Sequence, residues 1–204
     1  MPLILHIPVL QSGTLTVFCT GGELLPPTFA CQSERSDYER ISNYKRQQER
    51  LATLHLLHNI LKIPAALGYA PNGAPLLSDG SFNISISHTE NLIGVVLHPT
   101  TKIGLDMENS TRNFDAVAKR FLSQKEQETL SGQNLAYCLA WCAKEAIYKV
   151  ASEGNFDFSK QIEIHPFELQ QSGEFTATAI SNGRRQAFTL SYRLVDGYAI
   201  VLAY

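Results

Sequence analysis

Two short segments carry residues whose types and spacing suit chemistry on a phosphate. In Ile103-Gly104-Leu105-Asp106-Met107-Glu108 the two acids stand two positions apart. On a strand that spacing sends both side chains to one face, with Cα atoms roughly 6–7 Å apart. Two carboxylates aimed at one place repel unless a cation lies between them. Hard oxygen donors with few other ligands suit Mg²⁺, which completes its shell with water and substrate phosphate oxygens. Taken alone, an Asp-x-Glu is better explained as a solvated strand end. In Trp141-Cys142-Ala143-Lys144-Glu145-Ala146-Ile147-Tyr148-Lys149, Glu145 and Lys149 are four apart, with Lys144 beside them. Alone they make an exposed helix ion pair worth roughly 0.2–0.5 kcal/mol. Joined to the first segment they would bring a third carboxylate to a metal and a cation to a phosphate. Ser87, His88 and Thr89 place two hydroxyls and an imidazole in succession, a set able to grip a phosphate. A polar strand-to-turn exit accounts for them equally well. A serine nucleophile would need a strand–elbow–helix context with flanking glycines, which is absent there.

The elements that must position these residues read as follows. Leu3–His6 and Thr14–Cys19 are short strands, and Gly21–Pro27 is a turn-rich break. A long helical pattern runs from Ser36 to Lys62, ended by Pro64, with Leu51, Leu54, Leu57, Ile60 and Leu61 as its apolar part. His55 and His58 lie three apart on it, and with leucines beside them they read as helix-surface or core-edge residues. Tyr69–Gly80 reads as loop, from its prolines, glycines, Asn-Gly and Asp-Gly steps. Phe82–Ser87, Leu92–Leu97 and Lys102–Met107 are strands. Phe114–Leu122 is a helix, Ser123-Gln124-Lys125-Glu126 is a capping box opening another, and Asn134–Ala151 is a strong helix. Strands at Ile162–Ile164, Glu174–Ile180, Ala187–Val195 and Gly197–Ala203 close the chain, with a hairpin turn at Asn182-Gly183. Successive strands joined by short turns make this α+β with mostly antiparallel pairing.

With 44% hydrophobic and 18% charged residues over 204 positions, the composition is that of an ordinary globular chain. A net charge of −2 offers no basic field for a nucleic acid, so an anionic ligand must meet local cations. Cys19, Cys31, Cys138 and Cys142 lack the spacing of a zinc site or a disulfide framework and fit a reducing cytosol. The apolar N-terminus has no basic region before it and is broken by two prolines, and no run is long enough to cross a membrane, so a cytoplasmic protein is expected.

In order and spacing these segments resemble the 4′-phosphopantetheinyl transferase superfamily, specifically its larger surfactin-synthetase-activating (Sfp) type. Ile103-Gly104-Leu105-Asp106 matches that family's strand motif and Glu108 its second acid. Trp141 to Lys149 matches its helix motif, Ile86-Ser87-His88-Thr89 its Ile-Ser-His-Ser, and Lys119-Arg120-Phe121-Leu122-Ser123-Gln124-Lys125-Glu126 its Lys-Arg-Phe-Phe-Ser-x-x-Glu. Positions 46–150 are covered closely and the rest by element order. Four short motifs in the right order are specific where each alone is not.

The resemblance implies two pseudo-symmetric α+β halves, residues 1–101 with coenzyme A contacts and 102–204 with metal and catalytic residues, with the site between them. It implies transfer of phosphopantetheine from coenzyme A to a serine of an apo acyl or peptidyl carrier protein, with Mg²⁺ held by Asp106, Glu108 and Glu145. Glu145 would be general base, and Lys149 would stabilise or protonate the leaving phosphate. Lys144, His88 and Ser87 would contact the coenzyme's phosphates, and Arg50 its 3′-phosphate, with Arg46 a poorer candidate. Glu126 is expected to cap its helix. The pseudo-dimeric type works as a monomer. Gly73-Ala74-Pro75 stands where the family often has Gly-Lys-Pro, which leaves a second reading, a family member that binds coenzyme A or a carrier without transfer. A different Mg²⁺-dependent phosphoryl-transfer enzyme or nuclease is a third, disfavoured by the helix motif and the near-neutral charge.

Overall fold

The computed structural model describes residues 3–19, 28–130, 132–151, 157–181 and 183–204. The turn-rich segment 21–27 and Asn182 of the Asn-Gly step lie outside them. Residues 1–102 and 103–204 form two compact units.

In the first unit, strands β1 (Leu3–Val9), β2 (Gly13–Cys19), β5 (Asn83–His88) and β6 (Leu92–His98) pair antiparallel in the order β1-β2-β6-β5. All seven residues of β6 are buried, as suits an apolar strand with neighbours on both edges. Its Ile93, Val95 and Leu97 share a core with Phe18, Ile84, Leu54 and Leu57. The long helical pattern is two helices, not one: α1 (Gln32–Glu39) and α2 (Tyr44–His55). The break falls where Asn43 leaves the helical region and its side chain accepts the Arg46 N–H, a local cap that competes with a continuous helix. One π turn (Leu56–Ile60) extends α2, and Lys62 at φ 57° turns the chain before Pro64 is reached. Within the segment read as loop, β3 (Leu67–Tyr69) and β4 (Pro75–Leu77) form a short hairpin that buries Leu67 and Leu77.

In the second unit, β7 (Gly104–Asn109), β8 (Ile162–Ile164), β9 (Ser172–Ser181), β10 (Arg184–Val195) and β11 (Tyr198–Ala203) make an antiparallel sheet ordered β7-β11-β10-β9-β8. The expected helix after Phe114 is a 3₁₀ segment (Asp115–Arg120). It leads to α3 (Gln124–Thr129), which opens with the full Ser123–Glu126 capping box. Helix α4 (Asn134–Ala151) lies across β7 and β11, and a one-turn helix α5 (Phe158–Gln161) precedes β8. Ala136, Ala140, Ala143 and Ala146 recur every three or four residues along α4 and are all buried, so the helix can approach the sheet closely.

Each unit buries a glutamate in the first turn of a short helix. Glu34 on α1 accepts the N–H groups of Ala30 and of Leu67, at 2.7 Å each, and faces His58. Glu126 on α3 accepts those of Ser123 (2.7 Å) and Ile164 (2.8 Å) and faces Lys144. Both carboxylates thus tie a helix start to the backbone of a later strand, and each meets a base from the unit's long helix.

Candidate active site

Gly104 decides how near α4 comes to β7. A Cβ there would lie 2.0 Å from the Ala146 carbonyl oxygen, inside van der Waals contact with backbone. Alternation along β7 puts Gly104, Asp106 and Glu108 on this helix-facing side and Leu105 and Met107 on the other. Glu145 and Lys149, one turn apart on α4, flank the contact made by Ala146.

Lys149 donates to Asp106 Oδ1 (2.9 Å) and to the Leu105 carbonyl (2.6 Å), so the end of α4 is pinned to the strand. Glu108 accepts from Arg112 Nη1 at 2.8 Å. Burial pushes the Glu145 carboxyl up, the negative charges of Asp106 and Glu108 push it further, and Lys149 partly offsets this. Burial likewise raises Glu108; Arg112 opposes, Asp106 reinforces, and a hydrogen bond from Trp141 opposes. The three carboxylates therefore sense one another, as the sequence spacing required. As donors they fit a hard divalent cation, because all are carboxylate oxygens and their mutual repulsion is relieved by positive charge. Among the described residues, no three His, Cys, Asp or Glu side chains are grouped as a ready metal cage. Lys149 and Arg112 occupy the neutralising role instead.

Lys144 is not part of this cluster. Its side chain is fully buried on the other side of α4. Its ammonium donates to Glu126, to the Phe158 carbonyl (2.9 Å) and to the Ile162 carbonyl (2.6 Å). An ammonium has three protons, and all are used, so the expected contact with a coenzyme phosphate is withdrawn. Burial pulls its pKa down and Glu126 pushes back. Neighbours in a helix sequence point about 100° apart, so Lys144 and Glu145 serve different sides. Glu126 caps α3 as expected and, beyond that, holds Lys144.

A cleft of about 410 Å³ adjoins Glu108, lined by Arg112, Phe114, Arg120, Phe121, Trp141 and Phe158 among others. Trp141 meets Phe121 and Phe158 edge-on, with ring centroids 5.1 and 6.0 Å apart. Trp141, Arg120 and Phe121 were known from their motifs, while Arg112, Phe114 and Phe158 carry no spacing signal; only the fold brings them together.

The first unit has its own site. A pocket of about 440 Å³ is lined by Asp37, Ile41, Arg46, Glu49, Arg50, Thr53, Tyr69 and His88. Arg50 is 6% exposed. It lies 4.5 Å over the Tyr69 ring, 3.7 Å from Asp37 and 3.5 Å from the Leu67 carbonyl. Among the described residues its Nε and Nη1, both buried, have no hydrogen-bond partner, an arrangement that costs about 1–3 kcal/mol per group and that an anion in the pocket would relieve. Thr53 spends its proton on the Glu49 carbonyl (2.8 Å), so at 3.2 Å His88 Nε2 must donate to the Thr53 oxygen. Arg46 lines the same pocket from one turn earlier. Ser87 is buried, and alternation on β5 turns it away from the side His88 faces, so the three-residue grip read from sequence is not assembled. Tyr69, Asp37 and Thr53 had no sequence signal beyond their types.

The family model described as the 4′-phosphopantetheinyl transferase superfamily matches residues 102–203, the stretch that carries β7 and α4. The chain belongs to that superfamily. It is similar to the 4′-phosphopantetheinyl transferase HetI of Nostoc sp. (strain PCC 7120), at 29% identity over 97 residues, 42% of this chain and 41% of the relative. It is also similar to enterobactin synthase component D of Salmonella typhi, at 28% over 155 residues, 71% of this chain and 62% of the relative. The same component of Salmonella typhimurium is 29% identical over 171 residues, 78% and 69% of the two chains. The first two alignments span less than two thirds of those relatives. As a superfamily member the chain has the expected α+β fold with antiparallel strands, and no described helix is long and apolar enough to cross a membrane.

Proposed function

We propose that this protein transfers 4′-phosphopantetheine from coenzyme A to a serine of an apo acyl or peptidyl carrier protein, releasing adenosine 3′,5′-bisphosphate. The observation that carries the reading is the mutual approach of Asp106, Glu108 and Glu145 with Lys149 on Asp106, inside the stretch that defines the family. Asp106, Glu108 and Glu145 would hold Mg²⁺. Bound there, the ion would neutralise the diphosphate and lower the pKa of an oxygen ligand. The serine Oγ attacks the phosphorus that bears pantetheine, and the bond to the bridging oxygen breaks, leaving the 5′-phosphate on the nucleotide. Glu145 takes the serine proton. Its raised pKa, set by burial and the neighbouring carboxylates, makes it a better base than an ordinary carboxylate. Lys149 donates to the departing phosphate oxygen. Arg50, with His88 and Arg46, takes the coenzyme's 3′-phosphate, where the unpartnered guanidinium N–H groups support a bidentate contact. The Trp141 cleft, lined by aromatic rings together with the polar heads of Arg112, Arg120 and Asp157, suits the uncharged pantetheine arm with its amide groups.

The larger Sfp type, two half-domains with complementary roles, a monomeric state and a cytoplasmic setting complete this reading. With Mg²⁺ and coenzyme A, the protein is expected to add one phosphopantetheine unit to at least one of a panel of apo carriers, read by intact mass. Ala74, an uncharged residue in the β3–β4 turn where the family often has lysine, favours the second reading of binding without transfer. Calorimetric binding of coenzyme A with no mass gain on any carrier would establish it.

A further inference from the structure

Helix α1 has eight residues, and only Glu34 among them is buried. So short a helix is not stable by itself, and this one brings almost no apolar face to the core. Its hold on the unit is therefore largely polar. Glu34 accepts the Ala30 and Leu67 N–H groups, and its two oxygens lie 3.0 and 3.2 Å from His58 Nε2. On the other side of the ring, Nδ1 lies 2.7 Å from the Ile63 carbonyl. A carbonyl can only accept, and a carboxylate already accepting two N–H groups is held ionised. Both ring nitrogens must then donate, and only the imidazolium does so.

The opposite end of α1 reaches the Arg50 pocket. Asp37, one turn after Glu34, faces Arg50 at 3.7 Å, and Ile41 lines the wall just beyond the helix. We propose that His58, as an imidazolium, is a positioning residue for the Arg50 pocket: through Glu34 it anchors α1, which presents Asp37 to Arg50, so that raising the pH releases the helix and loosens the pocket for its phosphate ligand.

The titratable groups facing His58 are Glu34 and, at the start of α1, Cys31. His55 lies one turn back on its own helix and bonds Asn59. The hydrogen bond it donates to Glu34 raises His58 above its ordinary value of 6.5, burial opposes, and Ile63 and Cys31 reinforce. A raised base contributes its full stabilisation below the unfolded value and loses it as pH climbs through the folded one. Burial alone would raise Glu34, but His58 and the two N–H groups hold it below its ordinary 4.5, so its share is lost only as pH falls through that lowered value. The clamp is thus complete between about pH 4.5 and 6.5 and weakens on the alkaline side.

Two readouts test this on the whole chain. Protection factors of the α1 amides in the ligand-free protein should fall several-fold between pH 6.5 and 9, as His58 loses its proton. Over the same range the calorimetric dissociation constant for coenzyme A should rise by a similar factor. His88 also lines the pocket and its protonation acts in the same direction, so variants separate the two. His58→Gln should be loosened at every pH, and His58→Lys, with a permanent charge, should keep α1 protected to pH 9. Were His58→Gln to fail to fold, the wild-type exchange profile and the NMR titration of the His58 ring still decide. Flat α1 protection from pH 6.5 to 9, or a His58 ring neutral at pH 6.5, overturns the proposal. The ligand arm rests on the coenzyme A reading of the pocket. Absence of coenzyme A binding at any pH defeats that reading, while the exchange arm judges the clamp.

Discussion

The two units use one device with two different bases. In each, a short helix sends a buried glutamate to the backbone of a later strand and meets a cation from the long helix. In the second unit the cation is Lys144, with three protein acceptors and no exposure. In the first it is His58, whose side chain is 10% exposed and whose hydrogen bond to Glu34 raises it above its ordinary value. The lysine clamp ties α4, whose next residue is Glu145, to α3 and β8. The histidine clamp fixes α1 and, through Asp37, the arginine of an anion pocket. On the proposed function the two clamps divide the work, a rigid site for the chemistry and an adjustable one for the coenzyme's 3′-phosphate.

The sharpest way to test that division is Asp106→Ala. It should lower transfer by at least about 10²–10³-fold, the scale of losing one electrostatic stabiliser, while coenzyme A still binds in the Arg50 pocket by calorimetry. Undiminished transfer would remove the acid cluster from the chemistry. Next in size is Glu126→Ala, which leaves Lys144 buried and unpaired. Breaking such a pair costs about 3–5 kcal/mol, so the melting temperature should fall by roughly 6–20 °C. Glu34→Ala should cost less at pH 9 than at pH 6, because the raised His58 loses its proton as pH climbs and the clamp that the substitution removes is then already weakened. Equal losses at both pH values, seen by thermal denaturation, would erase the contrast between the clamps. The smallest effect is that of Arg50→Ala. Loss of charge-assisted hydrogen bonds worth about 1.5–3 kcal/mol should raise KM for coenzyme A about 10- to 100-fold with kcat little changed. An equal fall in kcat would place Arg50 in the transition state instead.

Much of the acid site was legible because it lies in local patterns. Strand alternation put Asp106 and Glu108 on one face, helical spacing put Lys149 near Glu145, and the family resemblance joined the two pairs; the Ser123–Glu126 capping box needed only four residues. Helix α4 has the predicted ends because its apolar and small residues keep one period throughout. The errors have equally definite causes. The long helix breaks at residues 40–43 because the Asn43 side chain satisfies a backbone N–H there, a local competition that apolar periodicity does not register. The β3–β4 hairpin is short and turn-rich, so its residues read as loop until pairing with each other buries Leu67 and Leu77.

Lys144 is the most instructive case. By itself the sequence determined which residues carry charge, which family motifs they form, and which elements hold them. It placed Lys144 next to Glu145 and so suggested a shared role. Only the tertiary structure decided that the two side chains part, Glu145 toward β7 and Lys144 into a buried pairing with Glu126. His58 was likewise a helix-edge histidine in sequence, and only folding set a carboxylate and a carbonyl on its two nitrogens. The reason is common to both. A side chain's type and spacing set what it can donate or accept, but its charge state and its task depend on partners brought from distant positions, and those partners meet only when the chain has folded.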